Sequence, residues 1–190
     1  MSDSLAISSE HGHLPLAPID RPRGLFLRLV YTIARRRYGK VPTAFRVLYA
    51  RAPLLGFTSM VIYSVMDRGL KLDRELRFLL QVAVSSSNGC TFCSDIALAE
   101  IARAKIGSER FRELSDFERA SHFSEREKAA LAYANALAVS LTIGDELWAR
   151  LARSFSEREQ AEIVWVCAVE RYFNSMALPL RIGSDDLAPR

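Results

Sequence analysis

The phrase Phe-Ser-Glu-Arg-Glu occurs at 123–127 and again at 155–159, so each copy sets a glutamate three residues after a serine. That spacing is a capping box. The serine hydroxyl accepts from the backbone N–H three residues on, while the glutamate reaches back to the serine N–H, and two unpaired donors of a helix start are satisfied together. Each copy opens an amphipathic run, the first carrying Leu131, Ala134, Leu137 and Leu141, the second Ile163, Val166, Cys167 and Phe173. A chain committed in this way twice builds its core from helices. The residues after each copy diverge, so two good caps explain the duplication better than a repeat architecture does.

Nothing elsewhere pulls toward sheet. Residues 76–84 and 129–141 are rich in Ala and Leu, and glycine is scarce, which favours an all-α fold. A helix is expected from Arg23 to Arg37, ending at Gly39, with Pro42 in the first turn of a segment that Pro53 closes. Leu54 to Met66 reads as another helix, and Asp73 as the N-cap of one with Leu76, Leu79, Leu80 and Ala83 on one face. Ser85-Ser86-Ser87-Asn88-Gly89 is expected to break that helix. A new one should start near Cys90 and run to Lys105, with Gly107 as its C-terminal glycine. The expected organisation is an N-terminal tail or arm at 1–20, one helical domain at 21–180 and a polar tail at 181–190. At 49% hydrophobic residues, the domain can bury a core without structural metal.

The formal charge of +4 sits mainly in the first fifty residues. Arg35-Arg36-Arg37, followed by Tyr38, could meet an anionic surface, but a basic run at a helix C-terminus ordinarily serves the macrodipole and solvent. Zinc-finger spacing and glycine-rich phosphate loops are missing from the sequence, so no nucleic-acid partner is expected. No apolar stretch approaches the about 20 residues a membrane span requires, and no basic region followed by an apolar stretch opens the chain. A cytoplasmic protein without membrane attachment is the expectation.

Three cysteines, two of them three apart, do not form the disulfide framework of a secreted domain. Cys90 and Cys93 at a helix start lie where unpaired N–H groups and the dipole favour a thiolate. One sulfur can attack and the other resolve the product as a disulfide. Zinc sites share the spacing but need further ligands. Cys167 is buried by pattern, His11 and His13 fall in the tail, and His122 precedes a cap, so no metal is expected. Two unreactive cysteines packed into a helix start remain the alternative.

Leu72-Asp73-Arg74-Glu75-Leu76-Arg77, a helix, and then Asn88-Gly89-Cys90-Thr91-Phe92-Cys93 together resemble the carboxymuconolactone decarboxylase family in its alkylhydroperoxidase D-like branch. Residues 41–66, with Pro42, Phe45 and Pro53-Leu54, are similar to the helices that precede the motif there. Residues 123–138 and the helix with Asn174 are similar to those that follow, so the resemblance spans roughly 41–178. It implies a compact multi-helix bundle that assembles as a homo-oligomer, a trimer or hexamer. It also implies peroxide reduction with Cys93 attacking and Cys90 resolving, no cofactor beyond that redox-active disulfide, and a dithiol electron donor such as a lipoylated protein. In Cys-x-x-Cys proteins generally the first cysteine is often the nucleophile, and spacing alone leaves both orders open.

The chain departs from the family at its proton relay. The family's histidines precede the second cysteine and follow it by four residues, where this chain has Phe92 and Ala97; its glutamate, twelve before the first cysteine, is here Phe78. Loss of such acid–base help costs roughly 10²–10⁴ in rate, which implies a slow peroxidase. Glu75 and Asp95 are the candidate replacements or neighbours of the pair, while Glu100 is expected to face solvent. Phe78 and Phe92 are expected to line the site and make it apolar. Two other classes compete: a non-catalytic helical oligomer or redox sensor, and a lyase acting on a lactone carboxylic acid. Dense apolar residues from Leu54 to Ile62 suggest either a central helix or a subunit interface.

Overall fold

A computed structural model describes residues 13–107 and 109–188. Its helices are α1 (Leu25–Tyr38), α2 (Pro53–Arg68), α3 (Arg74–Ser87), α4 (Thr91–Arg103), α5 (Glu109–Arg112), α6 (Glu125–Val139), α7 (Asp145–Ser154) and α8 (Glu157–Ala177). A π-helical turn, Phe45–Tyr49, precedes α2, and no strand occurs among the described residues. The fold is all-α, as the capping boxes imply.

Helix α3 is the centre. Ten consecutive residues, Leu76 to Ser85, are buried, because α4, α6 and α8 all pack against it. The Asp73 side chain accepts from the backbone N–H groups of Glu75 and Leu76 and so fixes where α3 starts. Both capping boxes are formed, at Ser124 with Glu127 and at Ser156 with Glu159. Arg126 joins them, donating to Ser154 O and to Glu159 at 2.6 Å. The apolar faces of α6 and α8 then enter the core at Leu131, Ala134, Leu137, Ile163, Val166 and Cys167. Leu141 does not follow: α6 ends at Val139, and this side chain is 79% exposed.

Three boundaries differ from the sequence expectation. The serine run does not end α3, which continues to Ser87, because Ser85 is fully buried with its hydroxyl bonded to Glu170. Helix α4 closes before Gly107. Lys105 takes the left-handed conformation at φ 57°, while Ile106 N–H bonds to Ile101 O and Lys105 N–H to Ala102 O in a Schellman closure. The segment after Pro42 is a π-helical turn against which α2 lies closely. A Cβ on Gly56 would stand 3.0 Å from the Tyr49 Cβ, tighter than an ordinary contact, so a larger residue there would make the turn or the helix give way.

The two ends of the described chain are docked. Tyr31 Oη donates to Ile19 O at 2.7 Å, and Arg51 to Ala17 O at 2.7 Å, so residues 17–19 lie on α1 and the π-turn. Residues 1–12 of the expected arm fall outside the described residues. At the other end, 181–188 is not a free polar tail: Ile182 is buried among the cysteines, and Asp185 accepts from Thr43 N–H and Oγ1 at 2.6 and 2.7 Å. Buried apolar residues form a main core on α3, α6 and α8, a second cluster around Cys90 and Cys93, and a third at Tyr31, Ala34 and Val41.

Helix α2 is not central. Leu54, Phe57, Met60, Val61 and Val65 are exposed, as are Leu25, Phe26, Leu29 and Ile33 of α1. No described helix is long and apolar enough to cross a membrane.

Candidate active site

The turn that presents the cysteines is set by backbone geometry. Asn88 caps the C-terminus of α3, and Gly89 follows at φ 70°, a conformation that any side chain would strain. The chain then turns so that Cys90 N–H bonds to Ser85 O at 2.8 Å. Cys90 is the N-cap of α4, its sulfur accepting from Cys93 N–H at 3.4 Å, and the two residues form a disulfide with Cα atoms 5.3 Å apart. In the reduced state that Cys93 N–H, at the start of α4, favours a thiolate on Cys90.

The sulfurs face different spaces. Cys93 lies in the wall of a cavity of about 360 Å³ roofed by α1, α2 and the π-turn and floored by α3, α4 and α8. Its lining is mainly apolar and aromatic and includes Tyr38, Phe45, Tyr49, Tyr63, Phe92 and Phe173. Burial pushes the Tyr38, Tyr49 and Tyr63 phenols up, so all three stay neutral at physiological pH. Cys90 lies instead in a second cleft with Ser86, Ser94, Asp95 and Ser184.

Phe92 and Ala97 line the Cys93 cavity; Phe78 does not. Its ring belongs to the main core, with the Arg74 guanidinium 5.5 Å above it. Glu75 is also away from the sulfurs, at the opposite end of α3, where it pairs with Arg110, which also binds Glu127 at 2.7 Å. Asp95 is close to Cys90 but fully engaged: its carboxylate accepts from Ser184 Oγ and from the backbone N–H groups of Asp185, Leu187 and Ala188. It anchors the C-terminal segment. Glu100 does not face solvent. It is 2% exposed and held by Arg37 through Nε at 2.8 Å and Nη2 at 2.5 Å, so one arginine of the basic run serves a buried ion pair.

Among the described residues, no cluster of three or more His, Cys, Asp or Glu side chains is disposed to hold a metal.

Two carboxylates share the cavity with Cys93: Asp67 on α2, which lies 3.6 Å from both Arg68 and Arg74, and Glu170 on α8. Glu170 is 5% exposed; its Oε1 accepts from Ser85 Oγ at 2.6 Å and Asn174 Nδ2 at 3.1 Å, while Asn88 Nδ2 donates to Asn174 Oδ1 at 2.7 Å. Burial outweighs these hydrogen bonds and pushes the carboxyl up to about 7. A signal existed in the sequence: Ile163, Val166, Cys167, Glu170 and Asn174 share one helical face, so the glutamate interrupts a core stripe.

Fold and site together define an all-helical protein with a Cys-x-x-Cys disulfide at a helix start beside a mainly apolar cavity. Residues 61–136, which hold both cysteines, match the model of the carboxymuconolactone decarboxylase family, and the chain carries the alkylhydroperoxidase D-like fold. An uncharacterised protein of Escherichia coli K12, YnjA, is 28% identical over 161 residues, 82% of this chain and 88% of its own length. The debrominase Bmp8 in complex with 2,3,4-tribromopyrrole superposes with a TM-score of 0.79 at 20% identity, covering 91% of this chain and 92% of that one. An alkylhydroperoxidase AhpD-core, peroxidase-related protein of Ralstonia eutropha JMP134 gives 0.74 at 18% identity over 92% and 95%.

Proposed function

We propose that the protein is a thiol-dependent oxidoreductase that reduces hydrophobic organic hydroperoxides. The observation that carries this reading is Cys93 in the wall of an apolar cavity, already paired with Cys90. In the reduced protein the Cys93 thiolate attacks the terminal oxygen of the hydroperoxide. The O–O bond breaks, an alkoxide leaves and takes up a proton, and Cys93 becomes a sulfenic acid. The Cys90 thiol then attacks that sulfur, water leaves and the disulfide forms. A dithiol donor such as a lipoylated protein restores both thiols, as suits a reducing compartment like the cytoplasm. The exposed apolar residues of α1 and α2 support a homo-oligomer, with those faces packed between copies.

Reductive dehalogenation is a second reading, favoured by the aromatic lining and by the likeness to a debrominase bound to a brominated pyrrole. It uses the same couple: the dithiol is oxidised, halide leaves, and the ring carbon gains a proton.

Single-turnover oxidation of the reduced protein separates these readings. Cumene hydroperoxide, hydrogen peroxide and a brominated pyrrole are mixed in turn, and the Cys90–Cys93 disulfide is followed by mass spectrometry. Fast closure with the organic hydroperoxide, lost in Cys93→Ser, is expected. Closure only with the halogenated ring, with bromide release, supports the second reading. Thiols no faster than free cysteine with every substrate would leave a non-catalytic scaffold.

A further inference from the structure

Expelling an alkoxide from a hydroperoxide needs a proton at the moment the O–O bond breaks. The positions that hold the relay in the resembled family are Phe92, Ala97 and Phe78 here, and Glu75 and Asp95 are bound elsewhere. Of the two carboxyls that line the Cys93 cavity, Asp67 is paired with arginines, and Glu170 has no arginine or lysine partner among the described residues.

We propose that Glu170 is the general acid of this site, delivering its proton to the alkoxide released when Cys93 attacks. The inference rests on the peroxidase reading above. Glu170 and Cys93 line the same cavity, one from α8 and the other from the first turn of α4. The carboxyl is oriented on one side only. Ser85 and Asn174 both bind Oε1, and Oε2 has no hydrogen-bond partner among the described residues. Ser85 also ties the acid to the nucleophile's turn, because its carbonyl receives Cys90 N–H at 2.8 Å.

The charged groups around the cavity do not hold Glu170 ionised. Arg37 is committed to Glu100, and Asp67 lies 3.6 Å from both Arg68 and Arg74. From α3 the acid is met by the neutral Ser85, and on its own helix by Asn174 and by Cys167, whose thiol burial keeps protonated. With its carboxyl raised to about 7, the residue carries a proton in a large fraction of molecules at neutral pH. After each turnover it regains the proton from solvent.

The test compares wild-type protein with Glu170→Gln in single-turnover disulfide formation, using cumene hydroperoxide and peracetic acid between pH 5.5 and pH 8.5. Peracetic acid expels acetate, a weak base that needs no proton. With cumene hydroperoxide the variant is expected to be about 10²-fold slower and to lose the decline in rate above pH 7. With peracetic acid it should stay close to wild type. Equal slowing with both oxidants would mean that Glu170 only shapes the site, and an unchanged rate with both would remove it from the chemistry; either result overturns the proposal. Wild-type thiols inert to both oxidants would instead bring down the peroxidase reading, and this inference with it.

Discussion

Replacing Glu170 with glutamine should free the fold from a pH dependence that the wild-type protein carries. Burial raises this carboxyl from its ordinary 4.5 to about 7. A carboxyl raised in this way binds its proton more tightly in the folded than in the unfolded chain. Its stabilising contribution is present in full below the unfolded value and is lost as pH rises from 4.5 through about 7. At 1.36 kcal/mol per unit, the loss amounts to roughly 3 kcal/mol. Glutamine keeps an acceptor for Ser85 and Asn174 but cannot ionise. Cys167 stays protonated across this window, and Cys90 and Cys93 do not titrate while oxidised. Urea unfolding of the oxidised proteins at pH 5 and pH 8 isolates the effect as the difference between wild type and variant. The variant should gain roughly 3 kcal/mol over wild type between the two, or about 6–12 °C in Tm for a chain of this size. A difference that does not change with pH would refute the claim that burial governs this carboxyl.

Arg37→Met strips Glu100 of its main partner while the carboxylate stays buried, so unfolding free energy should fall by about 2–3 kcal/mol; the exposure of the guanidinium keeps the figure at the low end. Asp95→Ala should leave the helices intact but release residues 184–188, read as lost hydrogen-exchange protection at Asp185, Leu187 and Ala188. Leu54→Asp with Phe57→Asp, both in exposed positions on α2, should shift the protein toward monomer in light scattering. Ser156→Ala removes a cap and should cost about 1 kcal/mol in urea unfolding.

Helices with a strong local signal were legible in the sequence. Asp73, Ser124 and Ser156 act within three residues of themselves, so the helix starts they set need no tertiary information. Boundaries decided by distant partners were not legible. Ser85 reads as a helix breaker until Glu170, eighty-five residues away, accepts its hydroxyl. Lys105 holds the left-handed position because the closure around it bonds back to Ile101 and Ala102, and no composition rule reveals that. At the site the pair itself was plain, but its surroundings were not. Glu75 shares a helix with the turn before Cys90 yet points to Arg110 at the far end. Glu170 comes from a helix that begins sixty-four residues after Cys93, and only packing brings the two to one cavity.

The cavity has a floor and a roof of unequal firmness. Helix α3 in the floor buries ten residues in one run, whereas α1 and α2 bury three each, and of these only Met66 of α2 reaches the main core. Opening free energy follows buried contact, so in the isolated chain the roof yields first. Molecules of different girth could then be admitted by a yielding lid while the disulfide, its turn and Glu170 hold their places below.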